Sequence, residues 1–361
     1  MEYVIYIFKI ILYVFNILIM YKCIKTNKKI NKFSFSSIII ISLIMGIYGI
    51  ICGDLSDRRR YGLFFSNSIY DYIIRNDSIG LYYIYKFLHL FTYNKYFLFF
   101  IIPFIYFFIT LTIYNKMEEV YPLCILLLGL SNYSTFGYIA FKQCIAVALI
   151  SLSWSYYLKK DTLKCIISML LAIAFHETAL IVIPIYLCLS FISKSGIMRL
   201  ITYIILALSV FFFKDICMIL YKVLNLIPGM SIQMSGYFNN SGELQTSMNY
   251  LTIIKGAPFF IITFYAFIKK KALKDKIKNY NKHLILCVFC SISWLLSMHM
   301  YWMWRLGMYC YYPIFIFFSQ IMHYQNNGQE KRVLIFIEVL LLLFILVRYL
   351  IQCYFIYGGI Y

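Results

Sequence analysis

Residues 141–190 read FKQCIAVALISLSWSYYLKKDTLKCIISMLLAIAFHETALIVIPIYLCLS, and this stretch decides the class of fold. An apolar run ends at Leu158, the basic pair Lys159-Lys160 interrupts it, a second run ends at Phe175, and a third follows His176-Glu177. Runs of this kind approach the roughly 20 apolar residues that a helix needs to cross a bilayer. The same rhythm extends over all 361 residues, of which 63% are hydrophobic and only 13% charged, with a mean hydropathy of +0.80. So little polar surface cannot cover a water-soluble domain. The composition excludes a soluble enzyme, a disordered scaffold and a disulfide-stapled secreted module, and predicts an all-α polytopic membrane protein.

Working outward from residues 141–190, the segments 3–21, 36–52, 96–114, 120–136, 139–158, 162–176, 178–193, 200–220, 250–268, 283–299, 306–322 and 333–353 read as about twelve spans in one integral-membrane domain. The start, MEYVIYIFKIILYVFNILIMYK, lacks a basic leader and a small-residue cleavage site, so it reads as a retained first span. The formal net charge of +19 gathers between spans, for example Lys22, Lys25, Lys28, Lys29 and Lys32, or Lys269, Lys270, Lys271, Lys274, Lys276, Lys278 and Lys282. Such clusters mark cytoplasmic loops and argue against nucleic acid as a partner. Counting from loop 22–35 as inside leaves both termini outside. The 11 cysteines are scattered, mostly within apolar runs, and the Cys287-Cys290 pair has no second pair to complete a metal site, so no metal or cofactor is expected.

Two outward segments are long. Residues 53–95 contain the stretch 69–91, IYDYIIRNDSIGLYYIYKFLHLF, too polar to span and too aromatic for a free loop, which predicts an interfacial or re-entrant helix; residues 221–249 carry Pro, Gly, Asn and Ser at turn frequency. Ionisable residues at membrane depth cost at least about 2.5–3.5 kcal/mol each, so each needs a reason. They occur at Lys142-Gln143, at His176-Glu177, at Arg305, and in the Asp57, Arg58, Arg59, Arg60 cluster, all near the outer face by the loop count. Every one also has a structural reading: Lys142 snorkelling, His176 as a satisfied core residue, Arg305 as an anchor among Tyr301, Trp302, Trp304 and Tyr309, Arg58–Arg60 as a solvated turn. Their common side of the membrane favours a cationic pocket.

The same stretch resembles the EpsG-like branch of Wzy-type polysaccharide polymerases. That family has an R-Q-x-I/L-A start to one span, a basic hairpin, then A-x-x-F-H-x-[ST]-A-L-[IL] and a proline. Here Lys142-Gln143, Ile145-Ala146, Lys159-Lys160, Ala172, Phe175, His176, Thr178, Ala179, Leu180 and Pro184 match in order, with Lys for Arg at the first position. Asp57 to Tyr61 resembles an outward D-Y-x-x-Y without its first Tyr, Ser78-Ile79-Gly80 stands at an E-x-G with Asp77 adjacent, and Arg305, Leu306 and Tyr309 resemble a late R-[LI]-x-x-Y. The resemblance implies a metal-independent glycosyltransferase of the bacterial inner membrane, its site facing the periplasm or cell exterior, that joins undecaprenyl-diphosphate-linked oligosaccharide repeat units of O-antigen, capsule or exopolysaccharide. It makes a chain-length regulator and a flippase of the same pathway the expected protein partners.

Within that reading, Lys142, Gln143, Arg58, Arg59, Arg60, Tyr61 and Tyr309 are candidates for binding the diphosphate and sugar. Arg305 is a catalytic candidate for stabilising the leaving diphosphate, and His176, Glu177 or Asp57 for activating or orienting the acceptor hydroxyl. The rivals are a lipid-linked oligosaccharide flippase and an O-antigen ligase-type glycosyltransferase. A flippase calls for charges through the depth of the bundle and short loops on both sides. A ligase calls for one large outer domain.

Overall fold

The computed structural model describes residues 35–51, 56–67, 78–115, 140–224, 251–299 and 303–324. All regular structure among them is helical. The expected spans 3–21, 120–136 and 333–353, and residues 225–249 of the expected outward segment 221–249, lie outside the described residues. The chain divides into two compact units, one running to Ile183 and resuming at Phe315, the other Pro184–Ile314.

The first unit contains α1 (Phe35–Ile51), α2 (Ser56–Ser66), α3 (Ile79–Leu88), α4 (Lys95–Asn115), α5 (Phe141–Leu158) and α6 (Thr162–Phe175), then a 3-10 turn (Glu177–Ile181) leading into α7 (Val182–Ile192). Of these, α4 is long and apolar enough over Lys95–Ile113 to cross a membrane, while α6 and others are shorter apolar helices. α1 lies tightly on α4 because its contact face carries glycine. A Cβ on Gly46 would stand 2.7 Å from the Phe100 ring, and one on Gly49 would collide with the Phe99 carbonyl oxygen. Small residues three or four apart permit this close backbone approach between membrane helices. α4 packs on α5, which is buried along most of its length from Phe141 to Ser155.

α5 and α6 form an antiparallel hairpin. Lys160 takes the left-handed conformation (φ 61°) in the turn, and Asp161 caps α6 by accepting from the Lys164 amide at 3.3 Å. The outer face of α6 exposes Leu163, Ile166, Ile167, Leu170 and Leu171, while its hidden side buries Ser168. Ser151, Ser153 and Ser155 of α5 are buried as well. Apolar side chains outside and hydroxyls inside is the arrangement for lipid rather than water. The Ser151 and Ser168 hydroxyls each donate to the carbonyl four residues back, at 2.8 Å, so neither needs solvent.

The second unit continues α7, then α8 (Gly196–Phe211), α9 (Phe213–Leu224), α10 (Leu251–Ile268), α11 (Lys270–Leu273), α12 (Tyr280–Leu296), α13 (Trp304–Gly307), a 3-10 turn (Met308–Cys310) and the start of α14 (Tyr311–Tyr324). α8 also turns apolar residues outward, from Ile197 through Leu200, Ile201, Ile204 and Ile205 to Phe211. Three expected spans differ in form. The 178–193 segment opens as a 3-10 turn, 306–322 begins in two short helical turns, and 200–220 breaks at Phe212. The break precedes Lys214 and Asp215, charges that oppose one continuous apolar helix. Within the expected outward segment 53–95, the described residues form two short helices, α3 inside the stretch 69–91 read as interfacial and α2 before it.

Candidate active site

The α5–α6 hairpin brings Phe141–Gln143 and Phe175–Glu177 to one end. Eighteen residues of α5 rise roughly 27 Å and fourteen of α6 return roughly 21 Å, so the start of one helix and the end of the other lie opposite the Lys159-Lys160 turn. Two further segments join them there.

The first is the start of α3. Ser78 is fully buried; its Oγ accepts from the Leu81 amide at 3.3 Å as an N-cap and donates to the Phe175 carbonyl at 3.0 Å. Gly80 packs flat on Phe175, where a Cβ would stand 2.8 Å from the ring. The serine that departs from the family's glutamate therefore ties α3 to the residue preceding His176.

The second is α2. The Tyr61 ring stacks on Phe141 at 5.4 Å and 18°, and the Tyr85 hydroxyl of α3 donates to the Tyr61 carbonyl at 2.8 Å. Arg58, only 1% exposed, donates to the Gly49 carbonyl and approaches that of Ile50 at 3.5 Å, at the end of α1. Its guanidinium also lies 3.9 Å over the Phe99 ring. A cation on the last carbonyls of a helix satisfies both hydrogen bonding and the helix dipole. Arg58 thus holds α2 against α1 and α4, whereas Arg59 and Arg60 are exposed, Arg60 lying 5.4 Å over Phe64. Asp57 falls in the first turn of α2, and its side chain lies outside the described residues.

Lys142 and His176 are half-buried, Glu177 is exposed, and Gln143 is 1% exposed. His176 caps the 3-10 turn: its Nδ1 accepts from the Thr178 amide at 3.3 Å and lies 2.8 Å from the Thr178 hydroxyl. On α3, Tyr85 is pushed well above its ordinary value by burial, with the nearby Tyr61 adding to it, and remains a neutral donor. His89 hydrogen-bonds to the Phe65 carbonyl at 2.9 Å; desolvation lowers its pKa, and that bond partly offsets the shift.

Arg305 belongs to the second unit. It is half-buried on α13, beside a column of rings in which Tyr311, Phe259, Trp294 and Trp304 stack in succession at 4.5, 6.0 and 5.4 Å. Gly307 lets α13 close on α12, since a Cβ there would meet the Ser293 hydroxyl and, at 3.2 Å, the Cys290 sulfur. Tyr309, expected to face substrate, is 2% exposed and belongs to the core. Tyr301 and Trp302 lie outside the described residues.

A sequence model of the EpsG family matches residues 56–360, which takes in α2, the α5–α6 hairpin and Arg305 alike. The chain belongs to the EpsG family. EpsG-family proteins are glycosyltransferase-like polymerases of polysaccharide biosynthesis at membranes. No curated protein and no solved structure matches the chain significantly. For this EpsG-family protein, the family pattern pointed to His176 and Lys142. It did not reveal Thr178 as a partner of His176 or Ser78 as a link to Phe175, although Thr178 matches its motif and Ser78 stands where the family pattern has glutamate.

Proposed function

We propose that the protein joins oligosaccharide repeat units carried on undecaprenyl diphosphate, at the outer face of a bacterial inner membrane, through a bundle of about twelve spans with both termini outside. The observation that best supports this is the meeting of α2, α3, α5 and α6 at one end of the hairpin, opposite the basic turn Lys159-Lys160. A basic turn favours the cytoplasmic side, which supports an outward-facing polar end.

In the proposed reaction the acceptor hydroxyl attacks the anomeric carbon, and the bond to the diphosphate breaks with its electron pair. Lys142, Arg59 and Arg60 supply positive charge for the departing diphosphate, and Lys142 acts as a point charge where Arg would offer two hydrogen bonds. Arg305, in the second unit, is a separate cationic candidate on the sequence resemblance alone. Tyr61 shapes the sugar side of the site, while the buried Gln143 and Arg58 act indirectly, Arg58 by fixing α2. The hydroxyl proton passes to a carboxylate, Glu177 or Asp57, or is oriented by His176. The fold needs no soluble domain for this chemistry, because donor and acceptor are both presented at the membrane.

The test is extension of a purified lipid-linked repeat by the full-length protein in vesicles. A ladder of longer products is the expected result. Movement of the unextended glycolipid across the bilayer, without elongation, identifies a flippase instead.

A further inference from the structure

We infer that Thr178 fixes His176 in the tautomer whose proton sits on Nε2, so that His176 enters the reaction as a hydrogen-bond donor and not as its base. This rests on the proposed polymerase reading and assigns Thr178 as a positioning residue for it.

The geometry is local. His176 is the single extended residue (φ −153°, ψ 117°) between the end of α6 and the 3-10 turn. That conformation folds the imidazole back over the turn, where the Thr178 backbone amide lies 3.3 Å from Nδ1. A backbone N–H can only donate, so Nδ1 has to present its lone pair. The Thr178 hydroxyl, 2.8 Å away, can serve either role, and beside an Nδ1 already accepting from the amide it donates. Both contacts select the neutral ring with its hydrogen on Nε2. The bond made by one ring nitrogen thereby decides the chemistry of the other.

A neutral imidazole bearing Nε2–H is a poor acceptor for the hydroxyl proton at that atom and a good donor to an oxygen that gains charge. In glycosyl transfer, that oxygen is the one linking the anomeric carbon to the diphosphate. As the carbon–oxygen bond breaks, the electron pair settles on this oxygen, and an N–H aimed at it stabilises the charge without transferring the proton. The acceptor's proton then leaves to a carboxylate, for which Glu177 is the acidic residue next to His176 in the chain and Asp57 the one in the sequence of α2. The histidine, the two-residue spacing and the hydroxyl residue at 178 act as one unit.

Two substitutions at 176 separate the roles. Asn matches the Nδ1 position and keeps the cap, while Gln matches Nε2 and offers an N–H with no basic lone pair. With the full-length protein in vesicles, His176→Asn should insert normally and lose about a hundredfold in elongation rate. His176→Gln should retain about a tenth of the wild-type rate. Thr178→Val should lower kcat about tenfold with KM unchanged, and Thr178→Ser should restore it. Nitrogen NMR of histidine-labelled protein, with His176→Asn subtracted, should show a non-protonated δ nitrogen that gains a proton population in Thr178→Val. A protonated δ nitrogen in the wild type overturns the tautomer assignment, whether or not the protein polymerises. A His176→Gln protein as inactive as His176→Asn overturns the donor role. Failure of the wild-type protein to elongate any lipid-linked repeat counts against the polymerase reading instead, and the spectrum then decides the tautomer alone.

Discussion

The two units hold their cationic residues in different ways. In the first, the polar end is knit through the main chain: Ser78 to the Phe175 carbonyl, Tyr85 to that of Tyr61, Arg58 to that of Gly49, and the Thr178 amide to His176. In the second, Arg305 rides on a short helix kept in place by ring stacking and by the close approach of Gly307 to α12. Hydrogen bonds to backbone fix direction within narrow limits, whereas stacked rings fix spacing and tolerate rotation. Under the proposed mechanism, the contrast suits one region that aims a hydrogen bond and another that supplies charge.

The largest effect expected from breaking this contrast is chemical. Arg305→Ala and His176→Ala should each reduce polymer at least about a hundredfold while the protein still inserts, because a preorganised charge or donor at a developing anion is worth that much. Arg305→Lys should recover part of the activity, since it keeps charge on a site held by packing. A normal polysaccharide ladder on a gel from either alanine variant removes that residue from the mechanism.

Next come the close contacts. Gly49→Val and Gly307→Val both force bulk into a helix contact, at about 1–3 kcal/mol or more each. Gly49→Val meets a main-chain oxygen and should lower the amount of folded protein more than Gly307→Val, which meets the movable Ser293 hydroxyl. Fluorescence-detected size exclusion in detergent measures both; equal losses would show that the two contacts are equally rigid.

Ser78→Ala removes one cap and one link between helices and should cost about 1–2 kcal/mol, read as a lower thermal midpoint. The same change at Ser293, which donates within its own helix to Cys290 at 2.7 Å, should cost less. Acid should also act unevenly. Burial lowers the His89 pKa, so the folded state disfavours the protonated ring. Stability from this residue is therefore complete above about pH 6.5, the unfolded value, and declines as pH falls below it. His89→Gln should flatten that decline in a midpoint-versus-pH series, and an unchanged slope assigns the acid sensitivity elsewhere. The smallest effect belongs to the basic turn. Lys160→Gly relieves a left-handed residue and should stabilise by roughly 0.5–1 kcal/mol without touching the polar end.

The nearness of two candidate residues was legible along the hairpin. Lys142 and His176 lie at the same end because Lys159-Lys160 breaks one apolar run and the next returns, a relation carried by run lengths alone. Arg58 shows where such reading stops. It shares a sequence cluster and a charge with Arg59 and Arg60, yet only Arg58 turns inward to the end of α1. Tyr309 is similar: its spacing from Arg305 matches a motif, but the packing of the second unit buries it.

The amino-acid sequence by itself determined a helical membrane protein, its turn chemistry and its family, because the length of apolar runs and the placement of charge are local properties that a bilayer reads directly. The tertiary structure alone decided which polar groups meet. Ser78 and Phe175 are 97 positions apart, and nothing in either segment encodes the other. Their bond exists because α3 and α6 pack together, and a buried hydroxyl must find its partner wherever that packing leaves a carbonyl.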